Sequence, residues 1–257
     1  MIILMVRLVG DPDIPNISAN SITVKTMNTE NYSQGIPVIE LDDQSRGRFI
    51  VRTYGHLLGA IVAFTLIEIY LFKSGLAERI TQALMGTSWL LVLGGFVVVA
   101  WAARAAAYRA SSQLAQYAAL AGYIVAEAII FVPMLYFAER SVPGVIASAA
   151  VITLLGFGSL TLLVFATRKD FSFMRGILMW GGIAAMLLIV GGVLFGFQLG
   201  TFFSVAMIAL AGGSILYDTS NVMLRYPQDR HVAASLELFA SVALMFWYVL
   251  RLLSSRR

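Results

Sequence analysis

The stretch that decides the fold is residues 196–253, GFQLGTFFSVAMIALAGGSILYDTSNVMLRYPQDRHVAASLELFASVALMFWYVLRLL. It holds two apolar runs, 196–220 and 231–253, joined by a polar link from Asn221 to His231 that is centred near Pro227. Each run is about 20 residues or longer, the length an α-helix needs to cross a hydrocarbon layer roughly 30 Å thick. Inside lipid the backbone must satisfy its own hydrogen bonds, so the two runs read as an antiparallel pair of spanning helices. Each carries an acid: Asp218 lies nine residues before Pro227 and Glu237 lies ten after it. Equal distance from the turn puts both carboxyl groups at similar depth, one or two helical turns inside the membrane.

Working outward, five more apolar runs precede the hairpin, at roughly 53–73, 85–107, 115–137, 144–166 and 174–194. The chain therefore reads as an all-α polytopic membrane protein with seven transmembrane helices joined by short loops. Composition agrees. Hydrophobic residues make up 59% of the chain and charged residues 12%, against about 45–50% and about 25% in a soluble domain. So few charges cannot cover a water-facing surface. The basic residues sit between the runs rather than in a patch, which argues against nucleic acid as a partner. There is no cysteine, so disulfides and thiolate chemistry are excluded, and His56 and His231 are the only imidazoles.

Residues 1–50 are of a different kind. Asp11 to Gln44 is rich in Asn, Ser, Thr, Asp and Pro with no helical period, and reads as a mobile cytoplasmic tail. Met1–Gly10 is apolar but too short to span, no small-residue cleavage site follows it, and Met27 is an alternative start. The seven-helix domain then occupies 51–257. With a cytoplasmic N terminus, that side gathers Arg46, Arg48, Arg52, Arg104, Arg109, Arg168, Lys169, Arg175, Arg225 and Arg230. The far side gathers Lys73, Arg79, Arg140, Arg251, Arg256 and Arg257. The larger basic group marks the inside, with the basic C-terminal end as the discordant element. Glycine pairs at Gly94–Gly95, Gly181–Gly182, Gly191–Gly192 and Gly212–Gly213 lie inside apolar runs without a following Gly-Lys-Ser/Thr, and read as close helix packing. Pro133 is expected to kink the third span.

Acids within spans are costly, at least ~2.5–3.5 kcal/mol at mid-depth, and each needs a reason. Asp218 and Glu237 form the strongest constellation. Two carboxylates at one depth can share a proton or be held by a positive partner, either a divalent cation or an arginine. Hard carboxylate oxygens suit Ca²⁺, although two alone make a weak, incomplete site. Arg104, at the same side in the second span, is the natural counter-charge, with a salt bridge to Asp218 as the sharper expectation. Glu127 is the deepest acid and is either hydrogen-bonded or lines a pathway. Glu68 lies about one turn from the outer end of the first span, where it can snorkel. His56 and His231 read as packed or interfacial, with no partner visible in the sequence.

Four segments together resemble the Bax inhibitor family, also called the transmembrane Bax-inhibitor-motif family, in its bacterial type. They are Phe49–Ile–Val–Arg52–Thr–Tyr54–Gly–His–Leu, Gln113–Leu–Ala–Gln–Tyr117, Ala166–Thr–Arg–Lys–Asp–Phe171–Ser–Phe and Ile215–Leu–Tyr–Asp218–Thr–Ser–Asn. The resemblance implies a last helix that is central and surrounded by the other six, residence in a bacterial plasma membrane, and a pH-sensitive Ca²⁺ leak. It further implies that Asp218 and Glu237 sense protons and cations while Arg104 latches the closed form. Glu237 stands where characterised bacterial members have Asp. No cofactor is implied beyond Ca²⁺ and H⁺ as permeant or regulatory ions. A non-catalytic regulator of a membrane protease or another membrane partner, docked through residues 1–45, is the alternative. An intramembrane aspartyl protease is the remote one: Tyr217–Asp218 resembles half of its motif, but no Gly-x-Gly-Asp exists in the chain.

Overall fold

The computed structural model describes residues 36–110 and 112–255. Its helices are α1 (Asp43–Lys73), α2 (Leu76–Met85), α3 (Trp89–Arg109), α4 (Gln113–Ser141), α5 (Val145–Thr167), α6 (Met174–Phe195), α7 (Thr201–Leu224) and α8 (His231–Ser254). Seven of them, all but α2, are long and apolar enough to cross a membrane, and the protein is an integral membrane protein. The links α3–α4, α5–α6 and α7–α8 lie at the end of the bundle where α1 begins, called here the near end.

The helix limits have local causes. Asp42 caps α1: its side chain accepts a hydrogen bond from the Ser45 N–H at 3.1 Å, satisfying one of the free donors of the first turn. At the far end α1 stops at Gly75, whose φ of 76° is left-handed and open to glycine at little cost. Helix α2 falls in the segment 73–85 that reads as a loop. At ten residues it is too short to span, but Leu76, Ala77 and Ile80 turn one face onto Leu71, Val132 and Tyr136. The α4 helix runs on through Pro133 to Ser141.

The expected tail to residue 50 gives way to built structure at Ile36. A single 3-10 turn, Val38–Glu40, lies across the α7–α8 link. Val38 is fully buried there. Its N–H donates to the Tyr226 carbonyl at 2.9 Å, and the Gln228 N–H donates to the Ile36 carbonyl at 3.2 Å. Arg46 reaches back from α1 to donate to the Ile39 carbonyl at 2.8 Å. Residues 1–35, which hold most of the expected tail, are outside the described residues.

Helix α8 is the core of the bundle. It packs against α1, α3, α4, α5 and α7, and 83% of its spanning window is buried, against 22–56% for the others. The sixth enclosing helix expected from the resemblance, α6, instead leans mainly on α7. Its buried stripe is Leu178, Gly182, Ala185 and Ile189, at helical spacing. Small residues set that approach: a methyl group on Gly181 would lie 2.6 Å from Leu210, and one on Gly213 would lie 2.8 Å from Met174. Gly94 and Gly95 have open space beside them, so close packing does not explain that pair. Large apolar side chains such as Leu155, Trp180, Leu187 and Phe202 point outward, as lipid contact requires. Arg251, part of the discordant basic end, donates to the Leu199 carbonyl at 2.7 Å in the α6–α7 link.

Candidate functional site

Helix α7 changes character along its length. Ser204, Met207 and Ala211 bury one stripe at the far end, whereas from Ala211 to Val222 every residue but Leu216 is buried. That near half is where the polar side chains collect: Ser214, Asp218, Thr219, Ser220 and Asn221 are all buried. Asp218 is 3% exposed, and its Oδ2 accepts a hydrogen bond from Ser241 Oγ of α8 at 2.5 Å.

Four residues earlier on α8, and therefore about one turn nearer the near end on the same face, stands Glu237. Its Oε2 lies 3.1 Å from the Arg104 guanidinium of α3, with side-chain exposures of 19% and 5%. The sequence pointed to Asp218 as the partner of Arg104; Glu237 is an ion-pair partner of that same guanidinium. The three residues meet at one level: Asp218 reaches α8 through Ser241, and Arg104 reaches it through Glu237.

Farther along, the polar contacts continue. Tyr123 of α4 is fully buried and within electrostatic reach of Glu127, Arg104 and Glu237. Glu127, 3% exposed, has one oxygen, Oε2, without a hydrogen-bond partner. It lines a cavity of about 150 Å³ with Trp89, Leu93, Phe131, Trp247, Tyr248 and Arg251. A chain of ionisable groups thus follows α8 from Arg104 toward the far end. Among the described residues, no group of three or more His, Cys, Asp or Glu side chains is placed to hold a metal ion. Two acids and a hydroxyl can offer a passing cation ligands without retaining it.

The four sequence segments quoted above converge here. The Tyr54 hydroxyl lies 3.5 Å from Thr219 Oγ1, next to Asp218. Ser220 Oγ accepts from the Phe171 N–H at 3.0 Å, and Asp170 pairs with Arg225 at 2.7 Å. Partial burial pushes the Asp170 carboxyl up, but the Ser172 N–H and the Arg225 guanidinium outweigh it and hold the group below the usual range. Tyr117 stacks on His56 at 5.4 Å between ring centroids, and the His231 ring is 5.0 Å from His56. His56 Nε2 is also 3.2 Å from the Tyr117 hydroxyl. This His–Tyr–His cluster joins the near ends of α1, α4 and α8 and was missed in the sequence. Its signal was present, since all three residues fall near that end of their spans.

Glu68 departs from its expected place. It does not snorkel: it is 7% exposed, and neither carboxyl oxygen has a hydrogen-bond partner. Its neighbours are on α4, α5 and α8 rather than in the interface.

A protein-family model described as "Inhibitor of apoptosis-promoting Bax1" matches residues 46–257. No curated protein and no solved structure matched the chain.

Proposed function

The chain belongs to the Bax inhibitor family, and we propose that it is a passive, pH-sensitive leak for Ca²⁺ gated by Asp218, Glu237 and Arg104. The observation that carries this reading is the buried Arg104–Glu237 ion pair, placed one turn from the Asp218–Ser241 bond on the enclosed helix α8. An ion pair out of water persists only while both partners are charged and together. A proton on Glu237 abolishes its attraction for Arg104. A divalent cation at the carboxylates competes with the guanidinium for the same oxygens. Either event weakens the link between α8 and α3 at this level. Helix α8 touches five other spans, so its displacement changes packing along the line of Glu127 and the 150 Å³ cavity.

In this reading the near end faces the cytoplasm of a bacterial cell, and Ca²⁺ is cargo rather than a resident cofactor. The test is Ca²⁺ flux into proteoliposomes made with the purified chain, followed as pH is stepped. Flux that varies with pH in wild type, and that loses this variation in Asp218→Asn and Glu237→Gln, is the expected result. Unchanged flux and an unchanged profile in both variants would contradict it.

A further inference from the structure

Away from the Arg104 level, in the far half of the bundle, α1, α4, α5 and α8 enclose a second cavity of about 350 Å³. Its volume lies in the lower range of small-molecule sites, roughly 300–1,000 Å³. The wall is almost wholly apolar, with Phe64, Leu135, Phe239 and Phe246 among its side chains. Four polar residues interrupt it: Thr65 and Glu139 are exposed and already hydrogen-bonded to backbone, and Glu68 and Thr153 are buried. Glu68 is 7% exposed with both carboxyl oxygens lacking a hydrogen-bond partner, and Thr153 is 2% exposed with its hydroxyl equally unpartnered. Neither has a role in the proposed leak. Buried polar groups are almost always paired, and an acid in an apolar wall is the costliest exception.

We propose that this cavity is a binding site for a lipophilic amine, with the apolar body between the aromatic rings and the ammonium on Glu68. The alternatives fit worse. A purely apolar occupant leaves both buried polar groups unpaired. Ca²⁺ needs six to eight oxygens, and the buried part of this wall offers only the Glu68 carboxyl and the Thr153 hydroxyl, with Thr65 and Glu139 exposed and engaged with backbone. An anion meets Glu68 inside and Glu139 on the rim. An ammonium supplies three donors and the opposite charge, enough for both Glu68 oxygens and a third acceptor at Thr153. Access is lateral: Ile69 and Leu154 line the cavity and are 45% and 48% exposed on the lipid-facing surface. An amphiphile dissolved in the membrane reaches the site without crossing water.

The experiment uses the full chain in detergent micelles and measures saturable binding of radiolabelled 1-aminoadamantane. Its uncharged isostere, 1-adamantanol, is the comparison. The amine is expected to bind at least tenfold more tightly than the alcohol. Glu68→Gln keeps the shape and is expected to bring the two within about twofold. Ala150→Phe places a ring in the cavity and is expected to remove binding of both, while Glu139→Gln changes little. Equal affinity for amine and alcohol in wild type, absence of saturable binding, or survival of the amine preference in Glu68→Gln overturns the proposal. Should Glu68→Gln not fold, undiminished amine binding in Ala150→Phe overturns it equally. None of these outcomes depends on ion flux, so the site and the leak stand or fall separately.

Discussion

At the scale of single residues, the Arg104–Glu237 pair sets the sharpest expectations. Removing one member of a buried ion pair strands the other, at a cost of about 3–5 kcal/mol, whereas replacing both with apolar side chains is often neutral. Arg104→Met should therefore lower stability by an amount of that order, and Arg104→Met with Glu237→Leu should recover most of it. Urea unfolding of the three proteins in detergent checks this. Comparable loss in the single and the double variant would mean that the two side chains do not act as a pair. The residue scale is also where sequence reading was weakest. Asp218, Glu237 and Arg104 were legible as a set because charged side chains are rare in spans and their depth follows from numbering. That Glu68 turns inward depends on helix rotation. Spans that are apolar on every side carry too little amphipathic pattern to reveal it.

At the scale of elements, two contacts at the near end can be tested apart from the membrane interior. Asp170 in the α5–α6 link is held below the usual carboxylate range by Ser172 and Arg225. A carboxylate lowered on folding contributes stability above its unfolded value of about 3.9, and that contribution is lost as pH falls through the lower folded value. Between pH 5 and 8 the Asp170–Arg225 anchor therefore stays charged. Amide exchange over 168–173, corrected for the intrinsic pH effect, should be constant across that window and should rise in Asp170→Asn. Variation across the window in wild type would show the anchor to be titrating. The second contact is the turn at Val38. Val38→Ala removes about two methylene equivalents from a fully buried site, worth roughly 1.5 kcal/mol. Faster exchange over 226–230 is the expected consequence, since the Tyr226 carbonyl and Gln228 N–H bond this segment. Unaltered exchange there would show that the turn merely rests on the link. Neither the turn nor α2 was legible as structure. Both are too short for a periodic signal, and both are stabilised by contacts with distant parts of the chain.

At the scale of the whole molecule, the seven spans were readable because bilayer thickness fixes helix length and lipid fixes composition, and the family match over 46–257 agrees with the segments that suggested it. The arrangement around α8 needed the packing. It places the ionisable groups of α3, α4 and α7 along one enclosed helix and leaves α6 on the outside against α7. The central claim is that the link between Arg104 and the acids of α7 and α8 is the latch. It is tested most directly by Ca²⁺ flux against pH in proteoliposomes of Arg104→Met, using protein that elutes from size exclusion as wild type does. The expected profile is flat across the range in which wild type changes, at the level wild type reaches with its acids protonated. A profile that keeps the wild-type shape and midpoint would contradict the claim.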